Sequence, residues 1–170
     1  ILVLVMTFVL TVVFDLVVAI EVGMVASAIL FMKRMSDVTH VRPWTKADEL
    51  AESDGGRLKA IPANTAVVEI NGPMFFATSD KYNAIPLKES DTVLILRMRN
   101  VPSLDISAMR SLHSIQNICA EKGVTLLLSH VNEQPMEVMK KSGFTDKVGE
   151  DNFLANIDEA LARAAALTKE

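Results

Sequence analysis

Two acidic residues stand inside an otherwise uncharged and mostly apolar stretch at the start of the chain. Asp15 and Glu21 are the charged residues among the first 32. A carboxylate inside a membrane is costly unless it is paired or hydrated, so each is a candidate for a role in transport or in contact with neighbouring helices. The alternative is that each lies near a bend, where it reaches the interface or caps a helix. Because they are six residues apart, about 240° around a helix, they would not share a face.

A second pair, Asp105 and Ser107, stands where a predicted helix begins and runs to about Lys122. The simple interpretation is that Asp105 is the N-cap and accepts a hydrogen bond from the N–H two or three residues later. Ser107 would then lie just inside the helix, where a phosphate would meet free N–H groups and a favourable dipole, although close to the Asp105 carboxylate. The sequence leaves both a capping role and a regulatory role open.

Composition excludes several classes of function. The net charge of −4 argues against a nucleic-acid-binding face, which needs clustered Lys and Arg. With Cys119 as the one cysteine, an internal disulfide and a multi-cysteine metal site are impossible. The three histidines lack the spacing of metal ligands, and no Gly-rich phosphate loop with a following Lys-Ser or Lys-Thr is present. We therefore expect no metal and no cofactor.

No arrangement of catalytic residues typical of an enzyme is present either. Ser107, His113 and Asp105 are the residue types of a hydrolase triad, but Ser107 and His113 are six apart on one predicted helix and point to different sides. Cys119 lies on the apolar face of that helix, which predicts a buried thiol rather than a reactive one. We expect the chain not to be an enzyme.

The apolar stretch itself predicts a membrane-embedded part. One helix over 32 residues would be about 48 Å long, against a hydrocarbon core of about 30 Å. A helical hairpin with arms Ile1–Phe14 and Leu16–Met32 fits better. The basic residues that follow directly mark the next segment as cytoplasmic. We assign residues 1–34 to a transmembrane segment and expect the chain, which begins within a hydrophobic run, to be the tail of a larger membrane protein.

Residues 35–62 are polar, mixed in charge and contain two prolines and a Gly-Gly pair, which predicts a linker. Trp44 within it is interpreted either as an interfacial ring beside the membrane or as a ring packed on the following domain. Residues 63–170 are the size of one small domain.

Strand and helix signals alternate along this domain. Asn71-Gly72 between the apolar runs Val67–Ile70 and Met74–Phe76 predicts a β-hairpin. Thr92–Met98 and Thr125–Ser129 are typical of buried strands, each followed by a helix, and a last helix is predicted over Phe153–Leu167. This order implies right-handed parallel crossovers. We expect an α/β fold with a small mixed or parallel sheet and helices mainly on one side.

Together these pieces resemble a known arrangement. The apolar segment resembles the last two transmembrane helices of the SulP anion-permease family, and the rest resembles the STAS domain that those permeases carry at their cytoplasmic C-terminus. The matching pieces are the strand Gly72–Ala77, the strand Thr92–Met98 and the Asp105-x-Ser107-Ala108 start of a helix. Their order is more specific than any one of them, and the resemblance covers nearly the whole chain apart from the linker.

The resemblance implies secondary active transport of an anion such as sulfate, bicarbonate or a dicarboxylate. It places the protein in the inner or plasma membrane as a multi-pass protein, with the STAS domain in the cytoplasm. The family's transport core has two inverted halves, of which only the last two spans would be present, so the substrate-binding residues lie outside this chain. The implied partners are the rest of the membrane domain, the lipid bilayer and a second copy in a homodimer.

The same resemblance implies an alternative function. STAS domains also occur as soluble antagonists of anti-sigma factors, where a serine at the point matched by Ser107, two residues after the Asp105 position, is phosphorylated by a partner kinase. The chain would then be a protein-interaction switch, controlled by that modification or by a partner, which in some bacterial relatives is an acyl carrier protein. The two functions are compatible, because the domain could act as a switch within a transporter.

Overall fold

The computed structural model describes residues 1–44, 60–75, 85 and 87–168. The chain divides into two compact units, Ile1–Val38 and Thr39–Glu170.

The first unit consists of two helices, α1 (Leu2–Val13) and α2 (Leu16–Val38). Asp15 lies between them, and its carboxylate accepts a hydrogen bond of 2.6 Å from the backbone N–H of Leu16. The helices pack closely where Gly23 meets Thr7, since a Cβ added to the glycine would lie 2.5 Å from the threonine methyl carbon.

Most large apolar side chains of this unit face outward, among them Phe8 and Phe31. Among the described residues, one helical stretch, Leu16–Arg34, is long and apolar enough to cross a membrane. α1 has 12 residues and a length of about 18 Å, shorter than a full span. So much exposed apolar surface is typical of helices that contact lipid or other helices.

The second unit is a five-stranded sheet in the order β1-β2-β3-β4-β5. β1 is antiparallel to β2 and the other neighbours are parallel. The strands are β1 (His40–Pro43), β2 (Thr65–Asn71), β3 (Val93–Asn100), β4 (Thr125–Ser129) and β5 (Phe153–Leu154). The helices are α3 (Ile106–Glu121), α4 (Glu133–Lys141), α5 (Phe144–Val148) and α6 (Ile157–Leu167), with a 3₁₀ turn at Glu150–Asn152.

Side chains alternate between the two faces of the sheet. On the α3 face, Leu94 and Leu96 belong to a core formed with α3, α4 and α5. On the α6 face, Val93 and Ile95 pack with the buried stripe of α6. Of the helices that the structure describes, α3, α4 and α5 lie on one face and α6 lies on the other, so the predicted mixed α/β sheet with helices mainly on one side is confirmed.

The predicted hairpin at Asn71-Gly72 is wrong. Gly72 does take a positive φ of 98°, but the chain does not return along β2. Instead Met74 forms an isolated parallel bridge with Leu104, and Phe76 lies outside the described residues. The Asn-Gly pair specifies a local turn, but it does not determine which strands pair with β2. Both edges of β2 are already paired, one with β3 and the other with β1.

Two other segments also differ from the sequence analysis. His40–Pro43, which fell within the predicted linker, forms strand β1; residues 45–59 of that linker lie outside the described residues. The last helix begins at Ile157 rather than Phe153, because Asn156 caps it with a 2.9 Å hydrogen bond from the Glu159 N–H to its side-chain oxygen. Phe153 and Leu154 form β5 instead.

Candidate functional site: the carboxyl edge and the buried polar rung

Asp105 and Ser107 stand at the start of α3, as the sequence indicated. Asp105 is the N-cap: its backbone is extended and its carboxylate accepts a 2.7 Å hydrogen bond from the Ala108 N–H. Ser107 is the second helical residue and is half-buried, while its neighbour Ile106 is 74% exposed. The capping interpretation therefore holds for Asp105, and a regulatory role for Ser107 stays a prediction.

The loop before α3 is fixed by two amide side chains from the start of α4. Asn132 donates to the Val101 carbonyl at 2.8 Å and to the Arg99 carbonyl at 3.0 Å. Gln134 pairs with both backbone groups of Leu104, accepting from its N–H at 2.8 Å and donating to its carbonyl at 3.1 Å. The position of Asp105 is thus set by α4 as well as by its own helix. Neither amide was singled out from the sequence, since its contacts lie about 30 residues away.

A shallow cavity of about 650 Å³ lies at this carboxyl edge of the parallel strands, the edge at which open α/β sheets favour ligands. It is lined by Arg99, Asn100, Pro102, Asn132, Glu133 and Gln134. These side chains can form hydrogen bonds and one charge-assisted contact of each sign, but they supply no nucleophile with a base beside it. This lining offers hydrogen-bonding and charged groups for recognition of a polar ligand.

A row of polar side chains crosses the α6 face of the sheet. The register places Arg42 opposite Glu69, and Glu69 opposite Arg97. One Glu69 oxygen accepts from Arg42 at 2.7 Å and the other from Arg97 at 2.9 Å. We call these three residues the polar rung. The Glu69 and Arg97 side chains are each 4% exposed, whereas that of Arg42 is 49% exposed.

The surroundings of the polar rung are also buried. The Arg97 guanidinium lies 5.3 Å from the centre of the Trp44 ring, a cation–π geometry. Trp44 is therefore packed on the domain, which is the second of the two sequence interpretations. Ser129 extends the row beside Arg97, and its hydroxyl, like the Trp44 indole N–H, is buried with no hydrogen-bond partner among the residues that the structure describes. The sequence did carry a signal for this row, since Glu69 and Arg97 are opposite charges inside two apolar runs.

Burial shifts the pKa of two titratable groups elsewhere in the described part of this unit. Burial, with Lys147 adding to it, lowers the pKa of His113, whose ring meets Phe144 edge-on at 5.1 Å. Burial raises the pKa of Cys119 to about 11. Within the described part of the chain, no three His, Cys, Asp or Glu side chains are grouped so as to hold a metal ion.

The structure does not bring the two acidic residues of the first unit together. Asp15 lies at the bend, bonded to the start of α2, while Glu21 lies within α2 on its exposed surface. The bend position accounts for Asp15 as a helix-start residue. A role for Glu21 in transport stays a prediction.

Comparison with known proteins places this geometry in context. Residues 58–163 match the STAS domain family. A protein named "Putative sulfate transporter YvdB" from Bacillus subtilis (strain 168) is 29% identical over 156 residues, which are 90% of this chain and 28% of that protein. The chain therefore spans little more than a quarter of the length of that relative.

Solved structures extend the comparison to both units. A sulfate transporter family protein from Wolinella succinogenes is 35% identical, with a TM-score of 0.64, over 70% of this chain and 99% of that one. The murine Solute Carrier 26 family member A9 anion transporter, in the inward-facing state, covers 96% of this chain and matches over 28% of its own length, with a TM-score of 0.75 and 18% identity. The second likeness is one of fold alone.

Proposed function

This chain belongs to the SulP family of sulfate transporters and carries its STAS domain, and from that premise we propose that it is the C-terminal part of a secondary active anion transporter. The anion is sulfate or a related one such as bicarbonate or a dicarboxylate. The protein lies in the inner or plasma membrane with several spans, and its STAS domain lies in the cytoplasm. We assign the chain no catalytic role.

The observation that carries this proposal is the combination of an apolar helix pair with a STAS unit in one chain. The likeness to the relative from Bacillus subtilis runs over 90% of this chain, so it includes most of both units. The outward-facing apolar side chains of α1 and α2 need lipid or further helices to cover them. The rest of the transporter's membrane domain and the bilayer are therefore the partners we propose for this pair.

For the STAS unit we propose a role in regulation, assembly or partner binding. The start of α3 supports it, because Gln134 of α4 fixes Leu104 directly before the Asp105 cap and Ile106 beside that cap is exposed. A regulatory kinase acting on Ser107, an acyl carrier protein or a second copy of the chain are the partners to test. The substrate-binding residues are sought in the rest of the transporter.

The test is uptake of labelled sulfate, bicarbonate and dicarboxylates by the full-length parent protein in proteoliposomes. The variants are Ser107→Ala and Ser107→Glu. Ser114→Ala and Ser114→Glu are matched controls, because Ser114 is also half-buried on α3 but lies within the helix. The expected result is uptake of at least one anion by the wild type.

The variants then separate the roles of Ser107. Uptake changed by Ser107→Glu, but by neither Ser107→Ala nor the Ser114 variants, supports a phosphate switch at the start of α3. Uptake unchanged by every variant assigns Asp105 and Ser107 to an ordinary helix start. If the wild type takes up no anion, the proposed transport function is contradicted, and the protein-interaction switch becomes the favoured function.

A further inference from the structure

The segment that follows α2 is attached to the sheet along its whole length. Thr39 is fully buried and its hydroxyl donates to the Pro73 carbonyl at 2.8 Å. The four residues of β1 then pair with residues 68–71 of β2, and the Trp44 N–H donates to the Val67 carbonyl at 2.9 Å. We call residues 39–44 the latch. α2 ends at Val38, so the latch follows that helix directly in the chain.

The latch supplies two of the groups that accompany the buried ion pair of the polar rung. Arg42 provides one of the two guanidinium groups bound by Glu69. Trp44 provides the ring that lies against Arg97. If the latch left the sheet, the Glu69 carboxylate would lose one donor and the Arg97 guanidinium would lose its aromatic cover. Both remaining groups are desolvated, so such losses are costly.

The polar rung also fixes the register of the latch. A slip of one residue would turn Arg42 to the opposite face of the sheet, away from Glu69. An undocked latch would leave the β2 edge open, with unpaired N–H and C=O groups. In the docked arrangement Arg42 lies opposite Glu69. The backbone groups at the β2 edge are then paired, and the buried Glu69 carboxylate has its second donor.

We propose that the latch couples the preceding helix to the STAS sheet, with Glu69 as the positioning residue on which the coupling depends. The covalent path from α2 to the sheet runs through these six residues, so a displacement of the chain before Thr39 acts first on β1. This inference rests on the proposed function, because it identifies how the STAS unit responds to the membrane part, or acts on it.

The first test is hydrogen exchange on this chain in detergent, with Arg42→Gln as the variant. Arg163→Gln is the matched control, because Arg163 is exposed on α6 and is not part of the polar rung. The exposed half of Arg42 reduces the expected effect, and we expect exchange of the His40, Arg42 and Trp44 amides, which face β2, to become about fivefold faster. Amides of β4 should keep the control rate. Equal exchange rates of the β1 amides in both variants, or an equal increase in exchange across the whole sheet, would refute the proposal.

The second test adds a reversible lock. Because Trp44 and Val67 form a hydrogen-bonded pair, Val41 and Ile70, which face each other, form a non-hydrogen-bonded pair, whose close Cα atoms suit a disulfide. The variant is Val41→Cys with Ile70→Cys, with or without Arg42→Gln. The buried Cys119 thiol, with its raised pKa, does not compete for oxidation.

Anion uptake by the full-length parent protein then measures whether the latch couples the STAS unit to transport. Arg42→Gln should lower uptake by about two- to tenfold relative to Arg163→Gln. Oxidation of the Arg42→Gln protein that carries both cysteines should restore it, and reduction should remove the gain. Faster exchange in β1 with uptake equal to the Arg163→Gln control would refute the coupling. A wild-type parent without uptake would refute the proposed function, and hydrogen exchange would still decide whether the latch depends on Arg42.

Discussion

Replacing Glu69 by Leu should destabilise the STAS unit strongly, because it removes the carboxylate that accepts a hydrogen bond from the buried Arg97 guanidinium. Removing one partner of a buried pair costs about 3–5 kcal/mol. Both side chains are 4% exposed, so little of this is recovered by water. The Trp44 ring remains against Arg97 in the variant, so the charge keeps a favourable contact and the loss lies near the lower end of that range. We therefore expect a loss of about 3 kcal/mol in the free energy of unfolding.

The assay is urea unfolding of the chain in detergent, followed by fluorescence of Trp44, the one tryptophan. With a urea dependence of about 1–3 kcal/mol per molar, the midpoint should fall by about 1–3 M. Arg163→Gln should leave the midpoint unchanged. Because Trp44 lies beside Arg97, unfolding is also followed by circular dichroism, so that a local change in the ring environment is not mistaken for global unfolding.

A double variant tests the reasoning itself. Glu69→Leu with Arg97→Met removes both charges from the sheet face and replaces them with apolar groups, which is often neutral for stability. We expect it to be more stable than Glu69→Leu alone, since Arg42 is half-exposed and can be hydrated. A double variant whose loss equals the sum of the two single losses would show that the charges do not interact. A Glu69→Leu loss below about 1 kcal/mol would show that the pair is hydrated, and would refute the argument.

Three further predictions concern other parts of the chain. Asp105→Ala should cost about 1 kcal/mol through loss of the cap on the Ala108 N–H, measured as a lower urea midpoint; no change would refute the capping role. Cys119, buried and with its pKa raised to about 11, should resist alkylation at pH 8 and react only after unfolding, when mass spectrometry should find it modified; rapid modification of the folded chain would contradict this. Gly23→Leu should separate α1 from α2, because its side chain would meet Thr7, whereas Ala28→Leu, at an exposed position of α2, should not. The yield of a chemical cross-link between Thr7→Cys and Ser27→Cys, which line one groove, measures the separation in each background, and equal yields would refute the prediction.

The elements that the sequence predicted correctly are those specified by neighbouring residues. α3 begins at an Asp105 cap and ends before Gly123, which takes a positive φ of 68°. Both signals act within one turn of the helix. The strands after residue 92 and after residue 124 likewise carry their own apolar runs, and a run of that kind predicts burial on both faces wherever the strand pairs.

The elements that the sequence did not predict depend on distant partners. β1 has four residues, with a charge and a proline among them, so it carries neither an apolar run nor alternation. It becomes a strand because β2 offers a free edge and Glu69 offers a buried carboxylate. The hairpin error has the same origin, since Asn71-Gly72 specifies a turn but not which strand will lie beside β2.

The polar rung explains why this edge of the sheet is built with charges rather than with apolar side chains. An apolar rung of similar volume is often as stable or more stable, but it would not select one residue of β1 as its partner, and an exposed apolar edge invites pairing with other chains. The strand that must dock here is the short β1, which has few other means of fixing its alignment. Glu69, held from inside by Arg97, accepts Arg42 in one register, with Trp44 then placed against Arg97. The buried pair therefore stabilises the fold less than apolar side chains could, but it fixes one register for the attachment of the segment that follows α2.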